Sequence, residues 1–290
     1  MTKVLFIVNP NSGKRRVLHL EEIISENLSA ASFEPEVRYT GYPGHAEIMA
    51  RESVADVVVA VGGDGTVNEV ARGLLGSSKI LGIVPAGSGN GLALHLGISR
   101  NPVEAVSTIG KMNVGMMDCG TINGHPFFCS CGVGMDAVVS GEFEKSGKRG
   151  LVTYVRKAME VFWAYKPSDC LLTIDEDNPK TLRAMLITIG NANQWGNNAF
   201  ICPEAREDDG LLDITVVRPF PVWYAPIIIF RLMSGRLYKC RYVDLYRGRH
   251  ICLKREREEV AHYDGECCIL DNQIEVNVMP GCIRVVRPEK

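Results

Sequence analysis

The sequence predicts an α/β domain with a mostly parallel sheet, followed by a mainly antiparallel β-sandwich. Three observations carry this. Over the first hundred residues, short β-branched runs alternate with longer amphipathic segments, the pattern of a parallel sheet covered by helices. Beyond residue 112 the texture changes to short strands separated by turn residues, with no flexible linker at the change. The length of 290 residues, at ~100–200 residues per domain, favours two domains. The predicted division is 1–112 and 113–290.

In chain order, strands are predicted over residues 4–8, 37–39, 57–61 and 80–84, and helices over 18–28, 45–51, 67–75 and 101–109. The run Val57-Val58-Val59-Ala60-Val61 is continuously apolar, as a strand covered on both faces must be. In such a sheet the functional loops lie at the carboxyl ends of the strands. The second domain offers strands over 171–175, 184–189, 214–217, 251–253, 274–278 and 283–286, interrupted by helical segments at 151–165 and 222–232.

The 46% hydrophobic and 23% charged content is that of a folded globular chain, not a disordered, collagen-like or membrane-embedded one. A net charge of -2 gives no sign of a polyanionic partner, and no nucleic-acid contact is expected. The ten cysteines contain no CxxC pair, so they read as reduced, mostly buried thiols, and the six histidines show no metal-ligand spacing. The opening MTKVLFIVNP meets Asn9-Pro10 before the apolar region of a secretory signal is complete, which makes a cytoplasmic location the expectation. The longest apolar stretch, residues 222–233, falls short of the ~18 residues that span a bilayer; with Trp163 and Tyr165 it reads as core, a lipid-tail pocket being the alternative.

Three loops carry the functional signal. Gly62-Gly63-Asp64-Gly65-Thr66 follows the strand 57–61 directly and opens a helix. Its glycines let the backbone turn sharply and approach a ligand, and the helix N-terminus offers N–H groups to an anion. Asp64 is placed to hold a Mg²⁺ bridging nucleotide phosphates. Read as structure alone, the same residues are a tight turn with Asp64 or Thr66 as helix N-cap. After the first strand, Asn9-Pro10-Asn11-Ser12-Gly13-Lys14 supplies polar groups at Asn9 and Ser12 and a cation at Lys14. After the strand 80–84, Gly87, Ser88 and Asn90 belong to Pro85-Ala86-Gly87-Ser88-Gly89-Asn90-Gly91. Three such loops on one sheet edge form a nucleotide cradle. They match neither the P-loop nor the Rossmann fingerprint.

NPNSGK, VGGDGTVNEV and PAGSGNGLA, in this order and spacing, resemble the diacylglycerol kinase catalytic-domain family, whose fold is shared with NAD kinases. The resemblance continues through Gly132-Val133-Gly134-Met135-Asp136, Lys148-Arg149-Gly150, Asp208-Asp209-Gly210-Leu211 and Tyr263-Asp264-Gly265-Glu266. It implies a two-domain lipid kinase using ATP and Mg²⁺, with its active site in the cleft between the domains and diacylglycerol as the foremost acceptor. It makes Asp264 the general base, with Asp64 as rival for that role, and adds Lys14 to the catalytic set and Glu266 to the nucleotide set. Asp-Gly is equally a hairpin signal. Asp118 and Asp136 would orient the acceptor, Lys148 would add charge beside the transferred phosphoryl group, and Asp208, Asp209 and the Leu211 carbonyl would form a second Mg²⁺ site. The bland reading of Asp208-Asp209-Gly210 is a turn. Gly91 stands where many bacterial relatives carry Asp, a feature closer to the sphingosine kinase branch.

The acceptor places the enzyme peripheral to a membrane. Nine Lys/Arg between 231 and 257 either draw it to anionic lipid or are solvated strand faces. Sphingoid-base or phosphatidylglycerol kinase, a soluble NAD kinase-type enzyme and a non-catalytic lipid-binding protein are the competing functions. An exposed β edge leaves a homodimer open.

Overall fold

The computed structural model describes residues 1–12, 19–145 and 151–289. The chain forms two compact units, Met1–Asp118 with Gly281–Lys290, and Cys119–Pro280. The C-terminal segment, read from sequence as part of the second domain, thus belongs to the first unit. The reason is strand pairing: Arg284 and Val285 lie parallel to Ile80 and Leu81 and extend the first sheet.

The first unit runs β1 (Thr2–Val8), α1 (Leu20–Asn27), β2 (Phe33–Tyr39), α2 (His45–Glu52), β3 (Val57–Gly62), α3 (Asp64–Leu74), β4 (Ile80–Pro85), α4 (Gly91–His95) and α5 (Pro102–Lys111). Its strands are parallel in the order β2-β1-β3-β4. Every residue of β3 and β4 is buried, as their unbroken apolar sequences require. Helix ends follow local chemistry. The Asn101 side chain accepts from the Val103 N–H at 3.1 Å, and Pro102 takes the first helical position of α5. Lys79 Nζ donates to the last carbonyls of α2, at Ala50 and Arg51. Helix α3 meets α2 at Gly73, where a Cβ would lie 2.5 Å from the Glu47 carbonyl oxygen and 2.8 Å from Ala50 Cβ.

The second unit begins within β5 (Val114–Ile122). It continues through β6 (His125–Phe127), β7 (Ser130–Gly134), α6 (Met135–Lys145), α7 (Leu151–Ala164), β8 (Ser168–Ile174), β9 (Lys180–Ala184), β10 (Leu186–Gly190) and β11 (Leu212–Val217). A 3-10 turn (Val222–Tyr224) leads into α8 (Ala225–Met233), and β12 (Val243–Gly248), β13 (His250–Arg255), β14 (Glu259–Tyr263), β15 (Glu266–Leu270) and β16 (Gln273–Val286) complete the chain. One sheet has β9, β8, β13 and the first part of β16 as neighbours, with β5 and β6 attached; the other is β12-β11-β10-β7-β14-β15. The pairings within the second sheet are antiparallel. Leu172, Ile174, Ile251 and Ile274 of the first sheet and Cys131, Ile187, Ile214 and Ala261 of the second share one core, so the sequence reading of a β-sandwich holds.

The expectation that residues 222–233 form core is corrected. Helix α8 has no fully buried residue. Only Ile228 and Leu232, one turn apart, pack onto the cluster of Ile201, Cys202, Tyr224 and Leu237, while Trp223, Ile227, Ile229 and Phe230 are exposed. A helix lying on a sandwich buries one stripe, and this one is apolar on the opposite side as well. The basic segment also divides. Arg247 pairs with Asp213, the buried Arg255 donates to the carbonyls of Glu259, Leu270 and Asp271, and Arg257 pairs with Glu259. None of the ten cysteines forms a disulfide, and half of them are only partly buried. Among the described residues, no helix is long and apolar enough to cross a membrane.

The close α2–α3 approach makes Gly73→Ala an overpacking change, with an expected loss of ~1–3 kcal/mol in urea unfolding; unchanged stability would show that α3 does not sit against the α2 backbone.

Candidate functional site

In the first unit the loop after β3 is bound to the loop after β4 by a carboxylate. Asp64 Oδ2 accepts the Asn90 N–H at 2.8 Å and Oδ1 accepts the Gly91 N–H at 2.6 Å. Burial pushes the Asp64 carboxyl up from its ordinary range, while these backbone N–H groups and the Arg100 guanidinium pull it back. Asn90 itself closes the third loop: its Oδ1 accepts the Gly87 N–H at 3.0 Å and its Nδ2 donates to the Gly87 carbonyl at 2.9 Å. Asn90 adopts φ 57°, a left-handed conformation that Asn tolerates. Arg100 donates to the Gly89 carbonyl at 3.1 Å.

The glycines of this region are demanded by proximity. A Cβ on Gly87 would stand 2.5 Å from Gly63 Cα, and one on Gly62 would stand 2.5 Å from Thr66 Oγ1. The first loop joins the same region, since Asn9 Nδ2 donates to Thr66 Oγ1 at 3.1 Å, the Asn9 N–H donates to the Val61 carbonyl at 3.0 Å, and the Ser12 N–H donates to the Asn9 carbonyl at 3.1 Å. Ser12 and Thr66 are buried, whereas Gly65 and Ser88 are exposed. Helix α3 starts at Asp64 without a side-chain cap, and a Cβ on Gly65 would meet nothing within 4 Å. A capless helix start beside open space suits a phosphate group. Lys14 lies outside the described residues, as does Lys148.

In the second unit Asp264 and Gly265 form the turn between β14 and β15, both at positive φ, as an Asp-Gly hairpin requires. The Asp264 carboxylate turns back onto the entry to β7. Oδ2 accepts the Phe128 N–H at 2.7 Å, and Oδ1 accepts the N–H groups of Cys129 at 2.8 Å and Ser130 at 3.0 Å. The Asp264 N–H donates to the Ser130 carbonyl at 2.8 Å. Three successive backbone donors fix one orientation of the carboxylate. Glu266 opens β15, exposed and opposite Tyr263.

Asp136, expected to orient the acceptor, lies inside the second unit. It is 3% exposed, its Oδ2 accepts from Thr188 Oγ1 at 2.9 Å and lies 3.1 Å from His262 Nε2, and its Oδ1 accepts the Ala137 N–H at 2.9 Å. Gly132 makes room for this cluster, because a Cβ there would be 2.5 Å from Asp136 Oδ2. The carboxylate therefore braces α6 against β10 and β14 from inside the unit. Asp118 is also buried, and its Oδ1 accepts the Gly281 N–H at 2.7 Å, tying the point where the chain leaves the first unit to the point where it returns.

Asp208, Asp209 and Leu211 form a turn: the Asp209 side chain accepts the Leu211 N–H at 3.1 Å, and Asp208 faces Arg206 at 3.4 Å. Nearby, burial pushes the Asp213 carboxyl up to about 6 against the pull of Arg247. Among the described residues, no three His, Cys, Asp or Glu side chains are grouped to hold a metal. A Mg²⁺ arriving with a nucleotide needs only one or two carboxylates, and Asp64 is the acidic group of the cradle.

Comparison with known proteins decides the family. The diacylglycerol kinase catalytic domain matches residues 3–122, and the YegS C-terminal NAD kinase beta sandwich-like domain matches residues 129–287. This chain belongs to the diacylglycerol kinase-like lipid kinase family. A "Probable lipid kinase YegS-like" of Stenotrophomonas maltophilia (strain K279a) is 31% identical over 87% of this chain and 86% of its own. A diacylglycerol kinase of Bacillus subtilis (strain 168) is 28% identical over 75% of this chain and 74% of its own. A crystal structure of a candidate diacylglycerol kinase from Bacillus anthracis str. Sterne superposes with a TM-score of 0.82 at 26% identity, covering 99% of this chain and 95% of the other. As a member of this lipid kinase family, the chain is expected to use ATP as phosphoryl donor.

Sequence reading missed the partners of the two aspartates. Phe128, Cys129 and Ser130 contribute backbone N–H groups, which no side-chain pattern reveals, and Thr188 and His262 approach Asp136 only through strand pairing. Asp264→Asn keeps the left-handed turn but sets an amide N–H against a backbone N–H. Its expected cost is ~1.5–3 kcal/mol in urea unfolding; wild-type stability would show that the three donors do not hold the carboxylate.

Proposed function

We propose that this kinase transfers the γ-phosphoryl group of ATP to the hydroxyl of diacylglycerol. The observation that carries the reading is the Asp64 bridge to Asn90 and Gly91, which holds two glycine-rich loops together at the open start of α3. Such a cradle, with free N–H groups at a helix start, suits phosphate oxygens. The B. subtilis relative supports diacylglycerol as acceptor.

Phosphoryl transfer through a loose transition state asks mainly for positioning and charge neutralisation. In this reading the Gly65 and Thr66 N–H groups at the α3 N-terminus hold phosphate oxygens. Lys14 and Lys148 supply positive charge, and Mg²⁺ bound with ATP supplies further neutralisation. Asp64 keeps the cradle shaped and would be the carboxylate to hold the metal. Asp264, fixed by its three backbone donors, accepts the proton of the lipid hydroxyl. A weak, oriented base is sufficient for a nucleophile that attacks late.

Transfer of radiolabelled phosphate from ATP and Mg²⁺ to diacylglycerol, phosphatidylglycerol, sphingoid base, ceramide and NAD tests this. Diacylglycerol should be labelled, and Asp264→Ala that is folded by circular dichroism should lose ~10²–10⁴-fold in kcat. Label only in NAD, or full activity in Asp264→Ala, would overturn the acceptor or the base respectively.

A further inference from the structure

The outward side of α8 presents an apolar surface that neither the fold nor the phosphate cradle uses. Trp223 is 67% exposed and Phe230 66% exposed, and Ile227, Ile229 and Met233 are exposed beside them. A chain of ring contacts runs from Trp223 through Tyr224, Tyr242 and Phe220 to Phe162, next to Trp163, which is 70% exposed on α7. The two exposed indoles therefore lie at the ends of one continuous aromatic layer within the second unit.

The chain segment that carries α8 is basic. Residues 214–243 contain Arg218, Arg231, Arg236, Lys239 and Arg241 and no Asp or Glu. Arg218 pairs with Asp244, but among the described residues no carboxylate pairs with Arg236, Lys239 or Arg241. Arg241 lies over the rings of Tyr224 and Tyr242, and Lys239 over that of Tyr238, so basic heads and aromatic faces alternate along the rim. Apolar and aromatic side chains on a helix ringed by Lys and Arg are the composition of a helix that lies in a membrane interface, with anionic head groups taking the charges. A second copy of the chain fits poorly, because a two-fold contact through this face would set its basic rim against an identical one.

We infer that α8, with Trp223 and the end of α7 at Trp163, is the surface by which this protein docks on an anionic phospholipid membrane. The inference rests on the lipid kinase reading for its purpose, and on the exposed helix and its basic rim for its content. Docking there leaves the phosphate cradle of the first unit, and Asp264, untouched in composition.

The test is cosedimentation of the full chain with phosphatidylcholine vesicles, with and without phosphatidylglycerol, using wild type, Trp223→Ser/Phe230→Ser and Arg236→Glu/Lys239→Glu. In parallel, phosphoryl transfer is measured with diacylglycerol in detergent micelles. Wild type should bind the anionic vesicles, and each double variant should bind roughly tenfold or more weakly while keeping micellar activity. Wild-type binding by both variants, no preference of wild type for the anionic vesicles, or a dimer in light scattering that Trp223→Ser/Phe230→Ser dissolves would each overturn the docking surface. Vesicle binding lost in the variants without any micellar transfer would uphold the surface and remove the kinase reading instead.

Discussion

The bond pair from the N–H groups of Asn90 and Gly91 to Asp64 is the constraint on which the proposed phosphate cradle depends. Two parallel strands deliver two flexible loops to one edge of the sheet, and glycine-rich backbone by itself would spend much conformational entropy in adopting one shape. A half-buried carboxylate accepting from both residues fixes that shape; Gly63 and Gly87 are then needed because the loops lie too close for side chains, and Gly62 because the Thr66 side chain fills the space beside it. The third loop enters α4 through a left-handed Asn90 whose side chain closes on Gly87, so the clamp and the helix start are one arrangement. Gly91 contributes its N–H and no side chain, which gives this residue a definite backbone task.

The second unit repeats the device with another carboxylate. Asp264 gathers three N–H groups at the entry to β7, and Asp136 ties α6 to β10 and β14 a short distance along the same sheet. Each is an acidic side chain whose oxygens face donors of its own unit rather than solvent. For Asp136 that confinement is complete and makes it a brace. Asp264 sits at a turn, where the same orientation serves a hydroxyl acceptor in the proposed reaction.

Much of the fold was legible because its signals are local. The apolar runs of β3 and β4, the Asn101-Pro102 start of α5 and the Asp264-Gly265 hairpin each follow from residues adjacent in the chain. The loops after β3 and β4 were legible as a pair because strand, glycine and helix recur in that order. What escaped depends on distant neighbours. The return of the last strand to β4, and the donors of Phe128 to Ser130 facing Asp264 more than a hundred positions later, leave no mark in spacing. The apolar run at 222–233 misled for a related reason: hydrophobicity records what a residue avoids, and only the packing of Ile228 and Leu232 shows which side was covered. Likewise the basic segment looked uniform, yet Arg247, Arg255 and Arg257 are engaged within the fold while Lys239 and Arg241 lie over tyrosine rings.

The measurement that bears most directly on the central claim is amide-resolved hydrogen exchange of Asn90 and Gly91 in wild type and Asp64→Asn, each with and without ATP and Mg²⁺. If the Asp64 bridge shapes the phosphate cradle, both amides exchange slowly in wild type and fast in the variant, and nucleotide slows exchange through residues 62–66 and 87–91 only in wild type. Equal exchange in the two proteins, or nucleotide protection that survives the substitution, would contradict it.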